Sequence, residues 1–309
     1  MMSRKTLLIH NCLTAGLALL ATAGPAEAWH GKGHQKATLL AVSALPRDMP
    51  AFFRQGAAQI AHGSEDPDLF RLPGGHVKAA ERPEHYCDLE VLGGMSLPAG
   101  RYELVVWCVK KDIPIAHVGF APYAATEWTQ RLSVAFAEHR AWPGNEHIRQ
   151  KTLVYAGLLA HYAQDLCQPL HTTLHHDGRA GKDGVSPQTG IHLKVDALLE
   201  KVPDSALATL DANAVRPFEK LFDGVVAEVT ATHALVDRTY ELEKLLPAKA
   251  DPFPAAGPVA GFARERLKAA ALFTARLYVT AWRDSAAIEL PPWHEREAKA
   301  ADRPDKAAE

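Results

Sequence analysis

The chain is poor in cysteine and has no excess of charge of either sign. Its 309 residues include four cysteines, and 34 basic residues face 36 acidic ones, a formal net charge of −2. Scarce cysteine excludes a small disulfide-stapled scaffold. Balanced charge provides no global field that would hold a polyanion or an anionic membrane. A hydrophobic content of 47% also excludes a disordered chain. These exclusions leave a globular protein that binds any charged substrate through residues of a local site.

Long apolar runs are also missing, apart from one near the N-terminus. Two basic residues precede the run LTAGLALLATAG, which is followed by Ala26-Glu27-Ala28, a small-x-small pattern typical of secretory cleavage sites. The run is too short for a membrane-spanning helix, which needs about twenty apolar residues. We expect residues 1–28 to be a signal peptide, cleaved between Ala28 and Trp29, and the mature protein to be secreted or periplasmic without a transmembrane segment.

Export to an oxidising compartment makes the remaining cysteines relevant. Only Cys87, Cys108 and Cys167 follow the expected cleavage site, so at most one disulfide can form within the chain. The sequence does not choose among the three pairings. We expect none of these thiols to be a metal ligand.

Helical periodicity dominates the rest of the chain. Apolar residues recur at helical spacing over 34–46, 122–138, 148–166, 192–201, 216–246 and 258–283. The only strand-like run is Tyr102–Val109, which could equally be another kind of buried segment. Proline and glycine predict long loops over 63–100 and 174–190. We therefore predict one all-α domain over 29–290, followed by a poorly ordered tail over 291–309.

Histidine is abundant, with 16 copies, and it is the commonest metal ligand among side chains. The most informative stretch is HYAQDLCQPLH, where His161 and Asp165 stand four residues apart after an apolar helical run. Residues at this spacing share one helix face, as two ligands of one ion must. Pro169 should end the helix and turn His171 toward a second ion.

A second pair, His192 and Asp196, repeats this spacing after the intervening loop. One such pair alone is more often a solvated ion pair than a metal site. Two pairs separated by a short loop, the first within an apolar run where an unpaired charge would be costly, favour a metal centre.

These residues carry a family resemblance. HYAQDLCQPLH, with GIHLKVD following and a mature chain that begins on tryptophan, resembles the secreted trinuclear-zinc phosphodiesterases. That superfamily comprises the single-strand-specific nucleases of the S-one and P-one family and the bacterial zinc-dependent phospholipases C. The resemblance spans Trp29 to Asp196, while the C-terminal third matches only as helices. It implies the helical fold of that superfamily, with long loops around a metal cluster, and three zinc ions per chain.

The resemblance assigns nine residues to the three zinc ions. They are Asp68, His85, His161 and Asp165 for the first ion, His171, His192 and Asp196 for the second, and Trp29 through its α-amino group and carbonyl, His34 and a shared Asp165 for the third. Imidazole and carboxylate ligands without thiolate suit zinc at a catalytic site.

Some of these assignments have alternatives. Glu65 and Asp66 compete with Asp68, and any of the three could be a turn residue. Asp68 is preferred because Arg71 follows three residues later, the spacing at which the nucleases carry a basic residue that meets the substrate phosphate. Two further histidines, His175 and His176, fit no ligand position and are expected to be solvent-exposed.

The implied reaction is hydrolysis of a phosphodiester by a zinc-activated hydroxide, with catalytic roles for Asp68, Arg71 and Asp165. Tyr86 and Asp88 would bind substrate, the tyrosine stacking on a base and the carboxylate accepting hydrogen bonds from its edge.

We therefore expect an endonuclease acting on single-stranded DNA or RNA, as the spacing from Trp29 to His34 and the aspartate at position 196 favour. The alternative is a phospholipase C, because GIHLKVDALLE looks phospholipase-like and the 174–190 loop lacks the Gly-Gly-Asn segment of eukaryotic nucleases. A non-catalytic zinc-binding protein is a third hypothesis, disfavoured because structural zinc sites tend to be rich in cysteine. No stable protein partner is indicated.

Overall fold

The computed structural model describes residues 31–204, 210–248 and 251–295. Within these ranges the secondary structure is helical and contains no strand, only an isolated bridge between His176 and Gly178. The predicted all-α class is therefore confirmed. The expected signal peptide over 1–28, Trp29 and residues 296–309 of the expected tail lie outside the described residues. The division into one domain over 29–290 stays a prediction.

The described part of the chain contains thirteen α-helices and several short 3-10 turns. The helices are α1 (Gly31–Ser43), α2 (Ala51–Gln55), α3 (Ala57–Gly63), α4 (Asp66–Phe70), α5 (Gly75–Glu81), α6 (Arg101–Lys111), α7 (Ala121–Ala141), α8 (Glu146–Asp165), α9 (Ile191–Asp196), α10 (Leu198–Lys201), α11 (Leu221–His233), α12 (Val236–Glu241) and α13 (Pro258–Asp284). The 3-10 turns are Arg82–His85, Leu89–Leu92, Ile115–His117, Pro169–His171, Ala212–Ala214, Glu243–Leu245 and Ser285–Ala287.

The core lies where α8 packs against α7 and α13, with α1 and α3 closing its sides. Phe53, Phe136 and Tyr278 are fully buried there, and the ring centroid of Phe53 lies 5.3 Å from that of Phe136 and 5.1 Å from that of Tyr278. The Tyr278 hydroxyl donates a hydrogen bond of 2.9 Å to the carbonyl oxygen of Ala156. Helix α8 is thus fixed on several sides, which makes it a rigid support for its C-terminal end.

Strong helical periodicity predicted the long helices well. The helices expected over 122–138, 148–166 and 258–283 form at nearly those bounds. The helix expected over 192–201 is interrupted at Ala197, and the one expected over 216–246 begins only at Leu221. That second segment breaks again between α11 and α12. Apolar spacing persists across such short breaks, so it locates the buried face more reliably than the helix ends.

The strand-like interpretation of Tyr102–Val109 is corrected, because this segment lies within helix α6. Leu104 and Cys108 are buried on one face of this helix, whereas Tyr102 is 82% exposed. Other apolar residues, Val106 and Val109, are also exposed. Apolar residues on both faces hide the helical period, which is why the sequence resembled a strand.

The two predicted loops differ in outcome. The 63–100 segment contains α4, α5 and two 3-10 turns, and α5 contributes no buried residue. Helices without a buried face leave no periodic signal. The 174–190 segment contains no helix and is a loop, as expected. Among the described helices, none combines the length and the hydropathy that crossing a membrane requires.

Candidate metal centre

Helix α8 carries the first histidine and carboxylate pair at its buried end. It begins where the side chain of Asn145 accepts a hydrogen bond of 3.1 Å from the backbone of Ile148, a typical N-cap. It ends at Asp165, and both His161 and Asp165 are fully buried. His161 Nε2 lies 3.3 Å from Asp165 Oδ2, so the predicted sharing of one helix face is present.

A glycine lets a second helix approach α8 beside this pair. A Cβ atom on Gly157 would lie 2.8 Å from the carbonyl oxygen of Ile60 and 2.9 Å from the carbonyl carbon of Gly63, too close for any side chain. The approach brings the carbonyl oxygen of Ser64, at the end of α3, to 2.8 Å from His161 Nδ1. Gly157 therefore helps to set the orientation of a ligand one turn away.

The Asp165 cluster consists of Asp165, His34, His85, His161 and Asp68. His85 Nδ1 lies 3.0 Å from Asp165 Oδ2, and His161 Nε2 lies 3.0 Å from the same His85 nitrogen. His34 Nε2 approaches the other carboxylate oxygen of Asp165 at 3.5 Å. Asp68 Oδ1 lies 3.8 Å from His161 Nε2 and 3.9 Å from His85 Nδ1. Side chains from α1, α4, α8 and a 3-10 turn converge on one carboxylate.

The Asp196 cluster consists of His171, His192 and Asp196. His171 Nε2 lies 3.1 Å from His192 Nε2, which in turn lies 3.2 Å from Asp196 Oδ2. His171 leaves α8 through the Pro169–His171 turn, and its Nδ1 is 3.8 Å from Asp165 Oδ2. The two clusters therefore form one continuous array.

Backbone carbonyls orient three of these histidine rings. The contacts are His161 Nδ1 to Ser64 O at 2.8 Å, His171 Nδ1 to His85 O at 2.8 Å, and His192 Nδ1 to His176 O at 3.0 Å. A carbonyl only accepts, so each Nδ1 carries the proton and each Nε2 offers a lone pair. In the Asp196 cluster, two such lone pairs face each other at 3.1 Å. Burial acts to lower the pKa of His192, but Asp196 outweighs it and raises the value. Either a metal ion or a proton held between the two nitrogens would therefore remove the repulsion.

Two glutamines of the motif support the clusters, a role that sequence reasoning missed. Gln164 Oε1 accepts from His34 Nδ1 at 2.8 Å, and its amide nitrogen donates to Thr38 Oγ1 at 2.8 Å. Gln168 Nε2 donates to Asp196 Oδ1 at 2.7 Å. Both are fully buried. Their polarity within a buried apolar stretch was the available signal, since buried amides need partners.

Four buried ligand atoms lack a hydrogen-bond partner among the described residues. They are His34 Nε2, His85 Nε2, Asp165 Oδ1 and Asp196 Oδ2. A buried polar atom left without a partner costs about 1–3 kcal/mol, and more when charged. Three of the four atoms point into the clusters, and a metal ion would satisfy them. The nitrogen and oxygen donors without thiolate suit zinc, so the residues fit the metal that the motif implied.

Burial and mutual contact shift the pKa values of these groups. Burial, with His161 adding to it, lowers the pKa of His34 to about 3. Burial also acts to lower the pKa of His85, but the contacts with Asp165 and Glu81 outweigh it and raise the value to about 9. Burial opposes ionisation of Asp165, yet His161 and His171 hold its pKa well below the usual range. Asp165 is therefore an anion surrounded by imidazoles.

Arg71 lies against Asp68, three residues earlier in the chain. The resemblance assigned Arg71 a contact with the substrate phosphate, which stays a prediction. The Nη2 of Arg71 donates to Asp68 Oδ1, and Arg71 is buried. The competing carboxylate of Glu65 points elsewhere and accepts from Gln35 Nε2 at 2.8 Å. Asp68 is thus the carboxylate that this segment presents to the His161 ring.

Tyr86 and Asp88 lie beside the array, but their surroundings differ from expectation. The Tyr86 hydroxyl donates to the carbonyl of Ala116, and its ring packs on Gly119, whose φ of +84° and lack of a side chain permit the contact. Burial, then the neighbouring Glu90, raises the pKa of Asp88 to about 8. In this state Asp88 would hold a proton near neutral pH and donate a hydrogen bond, where we expected it to accept.

The expectation that His175 and His176 are solvent-exposed is wrong. Both are half-buried because the 174–190 loop folds back on α9. His175 Nδ1 accepts from the backbone of Ala180 at 2.9 Å, and the His176 ring centroid lies 6.1 Å from that of His192. Burial, then His192, lowers the pKa of His176 to about 4.

The three cysteines that follow the expected cleavage site are free and buried, so none of the three possible pairings is present. Burial raises the pKa of the Cys87 and Cys167 thiols. No cysteine belongs to the ligand groups found among the described residues.

Comparisons with known proteins add little to this geometry. No protein-family model matches the chain, and no curated protein matches it. Among solved structures, the alpha toxin from Clostridium absonum is similar at 13% sequence identity and a TM-score of 0.48, over 84% of this chain. The match covers 65% of the toxin chain, so this chain spans less than two thirds of its length. A likeness this low assigns no activity.

Proposed function

We propose that the protein is a zinc-dependent phosphodiesterase. The observation that carries the proposal is the continuous array of buried donors, in which lone pairs of His171 and His192 face each other at 3.1 Å and His171 also lies 3.8 Å from Asp165. Neighbouring groups of two or three metal ligands that share a carboxylate are typical of multi-metal phosphoryl-transfer sites.

The ligand sets follow from the family resemblance, and the distances among the described residues support them. We propose Asp68, His85, His161 and Asp165 for one ion, His171, His192 and Asp196 for a second, and His34, Asp165 and Trp29 for a third. Trp29 lies outside the described residues, so its part depends on the resemblance alone. Elemental analysis of the purified mature protein should give about three zinc ions per chain.

When bound, zinc supplies Lewis acidity that lowers the pKa of a water molecule to near 7 and neutralises phosphate charge. The chain itself positions these groups. Three imidazole rings surround Asp165, and the Arg71 guanidinium holds Asp68 in place. Arg71 would also neutralise charge on the phosphoryl oxygens as the substrate is attacked. No serine, cysteine or threonine nucleophile is needed.

The surface beside the array favours a phospholipid substrate. The segment that carries Asp68 and Arg71 continues into exposed apolar residues, with Leu69 52% and Leu72 72% exposed and Val77 47% exposed on α5. Exposed basic residues at 78 and 82 flank this surface. Exposed apolar side chains with flanking cations suit a lipid interface, where the cations can meet the phosphates of the headgroups.

Single-stranded nucleic acid is the second candidate. Tyr86 and Asp88 form an aromatic and polar pair near His192, which a base could use if it were unstacked. The hydrogen bond of Tyr86 to Ala116 and the packing of its ring on Gly119 limit how freely the ring can stack on a base. The phospholipid proposal therefore comes first.

A parallel assay separates the candidates. The zinc-loaded mature protein is tested on phosphatidylcholine vesicles, single-stranded DNA, RNA and bis(4-nitrophenyl) phosphate. Release of diacylglycerol without nucleolysis supports the phospholipase, whereas cleavage of single strands without lipid hydrolysis supports the nuclease. Full zinc content without hydrolysis of any phosphodiester would leave the non-catalytic hypothesis as the correct one.

A further inference from the structure

His85 differs from the other histidines of the array in the nitrogen that it presents. Its Nδ1 faces the Asp165 cluster, 3.0 Å from Asp165 Oδ2, whereas His34, His161, His171 and His192 present Nε2. An imidazole that offers one nitrogen to a metal must carry its proton on the other. For His85 that outer nitrogen is Nε2, which lies on the side away from Asp165.

A carboxylate stands at that outer nitrogen. Glu81 Oε1 lies 3.5 Å from His85 Nε2, an ion-pair contact without hydrogen-bond geometry. The two residues are four apart, at the end of α5 and of the following 3-10 turn. The other histidines of the array meet neutral acceptors at their outer nitrogen, either a backbone carbonyl or the amide oxygen of Gln164. His171 Nδ1 also lies 3.8 Å from Asp165, but its nearest acceptor is the His85 carbonyl at 2.8 Å. At the outer nitrogen of His85 the partner is a carboxylate with no such carbonyl or amide.

Glu81 is itself held from α8. The hydroxyl of Tyr162, the residue that follows His161, donates to Glu81 Oε1. Tyr162 is 2% exposed, and its ring stacks on Trp128 with centroids 6.5 Å apart and an angle of 10° between the planes. The Glu81 side chain is only 15% exposed. A buried aromatic therefore fixes the position of this carboxylate.

We propose that Glu81 is the positioning residue of His85, and that Tyr162 holds Glu81 for this purpose. The proposal rests on the proposed metal site. A carboxylate that accepts from Nε2–H fixes the tautomer and ring angle of His85 and increases the basicity of Nδ1. Glu81 thus increases the affinity for the ion that His85 binds without contacting that ion itself.

The simpler alternative is that Glu81 and Tyr162 only tie α5 to α8. Glu84 provides a matched control, because it lies in the same 3-10 turn and pairs with Arg101 at 2.5 Å and 2.8 Å. Replacing Glu84 removes a carboxylate and an anchor from the turn without altering the contacts of the His85 ring. A purely structural role would make the two positions respond alike.

The experiment compares Glu81→Ala, Glu81→Gln, Tyr162→Phe and Glu84→Gln in the exported mature protein. Chelator competition measures the affinity of each zinc, and visible spectra of the cobalt-substituted protein report ligand geometry. Glu81→Ala should weaken one zinc about 10- to 100-fold and shift the cobalt bands. Glu81→Gln keeps an acceptor and should recover part of the loss, Tyr162→Phe should lose less, and Glu84→Gln should match the wild type.

The outcomes separate this proposal from the proposed function. Unchanged affinity and spectra in Glu81→Ala, or equal losses in Glu84→Gln, would overturn the role of Glu81 whether or not the enzyme is active. Selective loss of one zinc in a protein that hydrolyses no phosphodiester would support Glu81 and overturn the phosphodiesterase. Absence of zinc binding in the wild type would overturn both. Circular dichroism checks folding, and Glu81→Gln decides the question if Glu81→Ala does not fold.

Discussion

The Asp165 cluster and the Asp196 cluster contain the same ligand types but differ in what holds them. In the Asp196 cluster the outer partners are neutral, namely the carbonyls of His85 and His176 and the amide of Gln168. In the Asp165 cluster they include two charged side chains, Glu81 behind His85 and Arg71 on Asp68. The Asp196 cluster is supported mainly by backbone carbonyls, whereas the metal affinity of the Asp165 cluster can be changed by substituting single side chains.

Position in the fold explains this difference. The Asp196 cluster forms where the Pro169–His171 turn and the 174–190 loop fold onto α9, so carbonyls that no helix uses are close to the rings. The Asp165 cluster lies where α8 packs against α3, α4 and the Arg82–His85 turn, and the Ser64 carbonyl there reaches the His161 ring. Side chains supply the outer partners of His34, His85 and Asp68. Substitutions around the Asp165 cluster should therefore have the larger and more selective effects.

Loss of the shared carboxylate should produce the largest difference between the two clusters in the number of zinc ions lost. Asp165→Ala removes the group that contacts His34, His85 and His161, so we expect activity to be abolished and more than one zinc to be lost. Asp196→Ala, the matched change in the other cluster, should lose a single ion. Elemental analysis of both variants measures this. Full metal content in Asp165→Ala would show that Asp165 does not bridge two ions.

The N-terminus should affect only the Asp165 cluster. An α-amino group binds zinc only when it is free and deprotonated, and its reference pKa is near 8. A protein that begins Met-Trp29, or that keeps its leader, should therefore lack one zinc and have little activity, while the His171 and His192 ion stays bound. The control is the same protein cut to leave Trp29 first. Equal zinc content and turnover in both would mean that the N-terminus is not a ligand.

Substitution of Gly157 should change helix packing and so weaken zinc binding in the Asp165 cluster but not in the Asp196 cluster. Gly157→Ala would place a Cβ 2.8 Å from Ile60 O, so α3 must move away from α8, at a cost of about 1–3 kcal/mol. The Ser64 carbonyl moves with α3, and the zinc near His161 should weaken while the Asp196 cluster is unaffected. Thermal unfolding and zinc competition measure both effects.

The matched control for Gly157 is Gly261→Ala in α13, where a Cβ meets nothing within 4 Å. Alanine in an open helical position should be neutral or stabilising by up to about 1 kcal/mol. If both variants lose stability equally, the close approach of α3 and α8 is not what positions His161.

The spacing of residues within one helix was readable from the sequence, whereas the supports were not. His161 with Asp165, and His192 with Asp196, were predictable because a four-residue step fixes their relative direction. Glu81 and the Ser64 carbonyl were missed because each reaches its histidine only when separate helices pack. Local patterns report one element at a time, and outer partners depend on how elements meet.

The resemblance extended beyond local spacing, since it grouped Asp68, His85 and His34 with Asp165, and the structure places all four side chains together. It gave no information on helix α6, where apolar residues on two faces imitated a strand. Nor did it show that Asp88 would be buried enough to hold a proton. Such properties arise from the surroundings that the fold creates.

The smallest effect concerns the pH response of the metal-free protein. Its His85 has a folded pKa of about 9, above its ordinary value of 6.5, because Asp165 and Glu81 outweigh burial. A raised pKa means that the folded state binds more protons than the unfolded state between these values. The stabilisation is complete below pH 6.5 and is lost as the pH rises toward 9. With chelator present, the melting temperature should therefore fall over this range, and zinc uptake should release protons.

Glu81→Gln removes one of the two anions that hold the proton on His85, so the melting temperature of this variant should begin to fall at lower pH. Unfolding followed by circular dichroism at several pH values measures the slope in both proteins. A melting temperature of the chelated wild type that stays constant or rises from pH 6.5 to 9 would show that the acidic surroundings of the Asp165 cluster do not stabilise a protonated His85.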